Sequence, residues 1–376
     1  MGMDKVCYQL NLQATLGGGE VYTRFFTAAL SRLGWRTVLL VARDAAFWPG
    51  FMPADVERVT IRDKASLLQA LPDEPALLVT HTALPQDWAE AVAAVHRLAG
   101  MVHMPLYERE PRGLARYHRL FAVSEHVRAS ALAKGLGNMH GEPLYGVADL
   151  MPRSGAAPVQ AASPYEWDRR KLRDRLLGWI EGVTPGTSGR PFHRLPGLTL
   201  GIVSRLTPIK QFPEMFSVLA PVLARHPDVR LEIFGAGGYA SVRDLKHALA
   251  PLRGQVRFWG LQTDVAGIYP QLDYVLSGLP EKEALGLNII EAQLCGTPVL
   301  AVDAPPFTET VADGATGFLF KDPREDGGEA FAALLERIRG SDCRPDPRLA
   351  SEHLVRFSME AFTGRVGRAI DATTRP

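Results

Sequence analysis

The sequence predicts an α/β fold built on parallel sheets and divided into two domains. Three observations carry this. Strand and helix patterns alternate along nearly the whole chain, as expected of βαβ units rather than hairpins. The alternation stops between about residues 149 and 196, where Pro152, Pro158, Pro164, Pro185, Pro191 and Pro196 stand among Gly and Ser clusters. Finally, 376 residues suffice for two domains of ordinary size.

The first series opens with a strand at Val6–Leu10. A helix at Glu20–Leu33 follows, with Val21, Phe25, Ala28 and Leu33 near one stripe and Gly34 as its stop. Further strands are expected at Thr37–Ala42, Val56–Ile61, Ala76–Thr80, Gly100–His103 and Leu120–Ser124, with Ser124 capping the next helix. Within the Pro-rich break one charged helix is expected at Tyr165–Ile180. Its run Asp168-Arg-Arg-Lys-Leu-Arg-Asp-Arg reads as a solvated face, with a membrane or acceptor contact as the alternative. The second series has strands at Leu198–Val203, Val229–Phe234, Val256–Trp259, Asp273–Ser277 and Val299–Val302, and a last helix at Met359–Ala372. The expected domains are residues 1–170 and 197–357, joined by a linker at 171–196.

Composition narrows the function classes. A net charge of +1 gives no electrostatic reason to expect a nucleic-acid partner. No apolar run is long enough to span a bilayer, and the start, Met1-Gly-Met-Asp-Lys-Val, lacks the regions of a secretory leader. Cys7, Cys295 and Cys343 are odd in number and read as reduced thiols of a cytoplasmic protein. No His/Cys cluster has zinc spacing, so no metal is expected.

The most informative segment is Glu283-Ala-Leu-Gly-Leu-Asn-Ile-Ile-Glu291. It follows a short apolar strand and opens a helix, Leu287–Leu294, closed by Gly296 and Pro298. In such a unit Glu283 lies in the loop at the carboxyl end of a strand. Glu291 lies about one turn into the helix, able to face the same crevice. The N–H groups of Gly286 and Leu287 open the helix and can hold an anion. Two hydroxyl-binding carboxylates around an anion site suit a sugar attached to a phosphate.

This segment resembles the Glu-x7-Glu signature of retaining glycosyltransferases with the GT-B fold, of the large family 4, or group 1. Glu283-Ala-Leu-Gly-Leu287, Glu291-Ala292 and Cys295-Gly-Thr-Pro-Val299 fill its pattern, with Leu285 where Phe is usual. Glu309 and Asp313-Gly-Ala-Thr-Gly317 continue it. Arg205 and Lys210 match the Arg-Leu-x-x-x-Lys motif, but Gln211 stands where a glycine usually follows. Gly17-Gly18-Gly19-Glu20 resembles the Gly-Gly-x-Glu turn between first strand and first helix. Gly235-Ala-Gly-Gly also fits a loose dinucleotide fingerprint, which we read as the family's short turn rather than an NAD site. Val123-Ser-Glu and Tyr145-Gly-Val147 are similar to further segments, with Tyr145 in place of Asn.

The resemblance implies two Rossmann-like parallel-sheet domains facing a central cleft, with a tail helix at about 358–374 crossing back onto the first. It implies transfer of a sugar, with retention, from a UDP- or GDP-linked donor to a glycan, lipid-linked or small-molecule hydroxyl. No cofactor is implied, and the absence of an Asp-x-Asp pair fits metal independence. Glu283 would bind donor-sugar hydroxyls and Glu291 the nucleotide ribose. Arg205, Lys210, Gly18, Gly19 and the Gly286–Leu287 amides would hold the diphosphate, with Gly235 nearby. His103, ahead of its neighbour His81, would lie beside the donor sugar, and Phe258-Trp259 would either pass the base or pack in the sheet. The aromatic loop Phe47-Trp-Pro-Gly-Phe51 can stack on an acceptor, touch a lipid surface or simply cover the sheet. Together with Arg24, Phe25, Phe26 and Trp35 it leaves room for a peripheral membrane contact at the inner membrane face. A nucleotide-sugar epimerase or phosphorylase on the same fold, or a non-catalytic nucleotide-binding module, are the alternatives.

Overall fold

The computed structural model describes residues 5–15, 17–107, 111–150, 161–167, 172, 174, 179, 191–340 and 344–374. The chain divides into two units, one formed by Met1–Val147 with Val355–Pro376, the other by Ala148–Leu354. Cys343, most of the expected linker and most of the expected helix Tyr165–Ile180 lie outside the described residues.

The first unit is a six-stranded parallel sheet of β1 (Val6–Asn11), β2 (Arg36–Ala42), β3 (Glu57–Ile61), β4 (Leu77–Thr80), β5 (Arg97–Val102) and β6 (Arg119–Ala122). Their order across the sheet is β3-β2-β1-β4-β5-β6. All four residues of β4 are buried, as expected of a central strand covered on both faces. The first helix, Gly18–Arg32, ends at Gly34, whose φ of 75° an L side chain rarely adopts. Its buried stripe is only partly the expected one. Phe25 is buried as expected, and so are Tyr22, Phe26, Ala29 and Leu30, whereas Val21, Ala28 and Leu33 are only partly so. The rotation follows from two polar residues that can enter the core. The Thr23 and Thr27 hydroxyls donate to the carbonyls of Gly19 and Thr23 one turn back, at 2.9 and 3.0 Å.

The C-terminal helix, Met359–Thr374, belongs to this first unit. It buries Phe362, Val366, Ala369 and Ile370. Phe362 meets Tyr22 and Phe26 edge-on, with ring centroids 5.4 and 6.4 Å apart. Each such side chain contributes about 2 kcal/mol by leaving water. The Phe47–Phe51 segment covers the sheet. Trp48 is fully buried against Leu39, Val41, Met52 and Val56, and Arg24 lies over Phe51.

The second unit repeats the plan with β7 (Leu198–Val203), β8 (Val229–Phe234), β9 (Val256–Gly260), β10 (Tyr274–Leu276), β11 (Val299–Val302) and β12 (Gly317–Phe320). Their order is β12-β11-β10-β7-β8-β9, again all parallel. Residues 161–167 lie with this sheet, so the first domain does not run to residue 170. The Ala162 N–H donates to Trp259 O, and Gly237 exchanges hydrogen bonds with Pro164 and Glu166.

In each sheet the chain lays two strands to one side of the opening strand and then returns to its other side. The loops leaving β1 and β4, and those leaving β7 and β10, therefore part in opposite directions. Each pair opens a crevice at the carboxyl ends of the strands, the usual ligand position in such sheets. Among the described residues no helix is long and apolar enough to cross a membrane.

Candidate active site

At the crevice of the second unit the loops after β7 and β10 touch through their backbones. The Leu279 N–H donates to the Lys210 carbonyl at 3.1 Å. A Cβ on Gly278 would come within 2.1 Å of that same oxygen, so only glycine fits there. The contact sets Lys210 Nζ against the Glu283 carboxylate in a mostly buried ion pair. The ammonium also approaches Asn288 Oδ1 at 3.5 Å. Burial alone would raise the Glu283 carboxyl. The Lys210 charge, with the N–H groups of Ala284 and Gly286, holds it below the usual carboxylate value. Gly286 adopts φ 83° as it opens the helix Leu287–Leu294. Its amide is engaged with Glu283 rather than open, which leaves Leu287 at the helix N-terminus.

Gln211, which stands where a glycine is usual, adopts φ 51° and ψ 32°, the left-handed conformation that glycine takes easily. Its side-chain amide donates to Glu281 Oε2 at 2.9 Å, and Arg324 holds the other carboxylate oxygen at 2.8 Å. The loop keeps a glycine-like turn because a buried side chain anchors the residue. Arg205 sits on the same loop, exposed, with no ion pair among the described residues.

Glu291 faces a different neighbour. Tyr269 Oη donates to its Oε2 at 3.0 Å. Burial raises the Glu291 carboxyl, and the Tyr269 hydrogen bond and the Lys210 charge only partly oppose it. Nearby Cys295 is pushed up to about 11 by burial and the Glu291 charge. Tyr269, in Ile268-Tyr-Pro-Gln271, carried no sequence signal.

The Gly235–Gly238 turn has a packing explanation. Cβ atoms on Gly235 and Gly237 would stand 1.8 and 1.9 Å from the carbonyl oxygens of Ser204 and Leu206. The Gly237 N–H and C=O are taken by Pro164 and Glu166. These glycines bring one backbone against the Arg205 loop, and the Gly237 amide is not free for a phosphate. Trp259 is a core residue, 3% exposed, stacked on Phe234 with its indole N–H on Glu232 at 2.7 Å. Gly317 likewise packs on the backbone, its Cβ position 2.1 Å from Val299 O.

In the first unit Gly18 and Gly19 open the first helix, and a Cβ on either would meet nothing within 4 Å. Neighbouring Glu20 is buried and accepts from Asn11 Nδ2 at 3.2 Å. His103 and His81, read as rivals, are partners: His81 Nδ1 lies 3.3 Å from His103 Nε2. His81 Nε2 lies 3.0 Å from Gln9 Oε1. Burial lowers His103 to about 4, and burial with the His103 charge lowers His81 well below the ordinary value. Tyr22 stands edge-on to His103 at 5.1 Å. The structure thus gathers Arg205, Lys210, Glu283, Gly286, Leu287 and Glu291 on neighbouring loops of one unit. Gly18, Gly19 and His103 lie in the other. Among the described residues no group of three His, Cys, Asp or Glu is placed to hold a metal ion.

Residues 197–339 match the family described as glycosyl transferases group 1. The second unit therefore carries a glycosyl transferases group 1 domain, and the chain has the GT-B glycosyltransferase fold. It superposes on Anabaena HepE in complex with UDP and glucose with a TM-score of 0.67, 19% identity, and 98% and 100% coverage of the two chains. A sucrose-phosphate synthase from Thermosynechococcus elongatus gives 0.68 at 16% identity, with 98% of each chain covered. By sequence, the chain is 29% identical over 264 residues to a D-inositol 3-phosphate glycosyltransferase of Rhodococcus erythropolis, covering 66% of this chain and 54% of the relative. It is 28% identical over 170 residues to a phosphatidyl-myo-inositol mannosyltransferase of Mycolicibacterium smegmatis, covering 44% and 43%. The chain spans about half the length of these curated relatives.

Proposed function

We propose that the chain transfers a sugar from a nucleoside-diphosphate sugar to an acceptor hydroxyl, with retention of configuration and without a metal. The observation that carries this is the crevice of the second sheet. A lysine and a glutamate from two different loops are paired there, and an exposed arginine, without an ion pair among the described residues, shares the lysine's loop. That set has the charge needed for a diphosphate beside a carboxylate fit for sugar hydroxyls.

In this reading Arg205 and Lys210 bind the diphosphate, and their positive charge grows in value as the sugar–phosphate bond breaks and negative charge collects on the leaving group. Lys210 has three N–H donors, so it can reach a phosphate while still holding Glu283 ionised. Glu283 orients donor-sugar hydroxyls. Glu291 has one oxygen engaged by Tyr269 and offers the other to the ribose. The Leu287 amide offers a phosphate a donor at a helix N-terminus, and in the first unit the open backbone at Gly18 and Gly19 leaves room for one. The leaving phosphate takes the proton of the acceptor hydroxyl on the same face. His103 serves the donor sugar. Support for UDP comes from the Anabaena structure, which holds UDP and glucose. Support for a glycan, lipid-linked or small-molecule acceptor comes from relatives named for inositol 3-phosphate and phosphatidyl-myo-inositol. A cytoplasmic setting fits the reading, whereas a membrane contact through Phe47–Phe51 has little support, because Trp48 is buried.

The test is turnover of UDP-, GDP- and ADP-sugars in the presence of a chelator, wild type against Arg205→Ala. Release of one nucleoside diphosphate that depends on acceptor and drops about 10²-fold or more in the variant is expected. Near wild-type turnover in Arg205→Ala would sink the assignment.

A further inference from the structure

We propose that Gln9 and His81 are positioning residues that force His103 into the Nε2–H tautomer, so that its Nδ1 meets a ligand as a bare hydrogen-bond acceptor. One chain of hydrogen bonds runs inside the first unit, and each link fixes the next.

It begins at Thr27. This hydroxyl donates to Thr23 O at 3.0 Å, so toward anything else Thr27 Oγ1 can only accept. The Gln9 atom facing it at 2.8 Å must then be the nitrogen. The second hydrogen of that nitrogen goes to Thr37 Oγ1 at 3.2 Å. The other amide atom, Oε1, is left facing His81 Nε2 at 3.0 Å, and that nitrogen must carry the hydrogen. His81 is 6% exposed and packs edge-on against Phe26, so a charged ring there is disfavoured. A neutral ring with hydrogen on Nε2 has a lone pair on Nδ1. Its partner at 3.3 Å, His103 Nε2, must be the donor. The neutral His103 ring then has no hydrogen on Nδ1. That atom has no partner among the described residues and is not among the buried orphaned atoms.

Turning the Gln9 amide over reverses every link and presents an Nδ1–H instead. The turned arrangement breaks the Thr27–Thr23 bond and leaves one buried amide hydrogen without an acceptor, so it loses. The relay therefore has a sense, set about two side chains away from the ring that would face a ligand. Its functional consequence rests on the donor-sugar reading of His103. There the ring accepts from a sugar hydroxyl and repels a carboxylate or carbonyl oxygen, so a hydroxyl is selected at that point.

The experiment is a long-range ¹H–¹⁵N correlation spectrum of the histidine-labelled full chain, with His103→Asn used to assign the His103 signals. The expected result is the Nε2–H pattern for both His81 and His103. An Nδ1–H pattern for His103 in the wild type would overturn the proposal, and no variant is needed to see it. Gln9→Met should turn the His103 signals into a tautomer mixture. An unchanged His103 pattern in Gln9→Met would also overturn the proposal. In kinetics, Gln9→Met should lower kcat/KM for the nucleotide sugar about tenfold. The Nε2–H pattern together with unaltered kinetics in Gln9→Met would leave the tautomer standing and overturn the donor-sugar reading of His103.

Discussion

The two units share one strand order, yet their crevices hold opposite chemistry. In the first unit, Gln9 of β1, Thr27 of the first helix, Thr37 of β2, His81 after β4 and His103 after β5 form a network of one amide, two hydroxyls and two imidazoles. At the second, the loops after β7 and β10 bring together Lys210 and Glu283 beside exposed Arg205. In each unit the topology opens a crevice, and a few side chains set its chemistry. A neutral, directional network suits hydroxyls, and a cationic one suits a diphosphate.

The largest expected effect comes from removing charge at the second crevice. Arg205→Ala should cost orders of magnitude in turnover and leave the melting temperature within about a degree or two, because an exposed side chain contributes little to stability. Lys210→Ala should behave differently. It abandons a mostly buried Glu283, so calorimetry should show the second unit weakened by about 3 kcal/mol along with lost activity. Equal stability loss in the two variants would mean that the pair is not the buried contact described here.

The glycine turns sharpen the contrast. Gly235→Ala or Gly237→Ala drives a methyl into a carbonyl oxygen and should cost at least about 2 kcal/mol in denaturant unfolding. Gly18→Ala and Gly19→Ala meet open space and should leave stability unchanged or slightly higher, while weakening nucleotide binding. A stability loss at Gly18 or Gly19 would remove the case for a ligand approaching there.

The smallest effect concerns pH. The folded state raises the Glu291 carboxyl above its ordinary value of 4.5, so it binds that proton more tightly than the unfolded chain. Stability from this group is complete below the unfolded value and declines as pH rises through the folded one. Glu291→Gln should flatten that decline and melt slightly higher than wild type at pH 8, while losing nucleotide affinity. Glu283 has the opposite sign. Its lowered value means its contribution is present above the ordinary 4.5 and disappears as pH falls through the folded value. A Glu291→Gln variant less stable than wild type at pH 8 would contradict the first assignment.

Much of the second unit was legible in the sequence. The bounds expected for β7, β8, β11 and the helix Leu287–Leu294 match those observed, because apolar runs there end at Gly, Pro and charged residues. β12 was missed: four residues beginning with glycine carry no periodicity. The first helix was found but its buried face was partly misread, since Thr23 and Thr27 enter the core by bonding their own backbone. At the site, the carboxylates and cations were visible as a pattern along the chain. The partners that orient them were not. Tyr269 reaches Glu291 from 22 residues away, and Gln9 reaches His81 from 72 away, and no local spacing encodes such contacts.

The most direct measurement is isothermal calorimetry of UDP, GDP and ADP against the wild type and Arg205→Ala, with chelator and no added metal. If Arg205 holds the diphosphate, one nucleoside diphosphate binds the wild type and its Kd rises at least about tenfold in the variant, a change of about 1.4 kcal/mol. Binding of none of the three, or equal affinity in the two proteins, would contradict it.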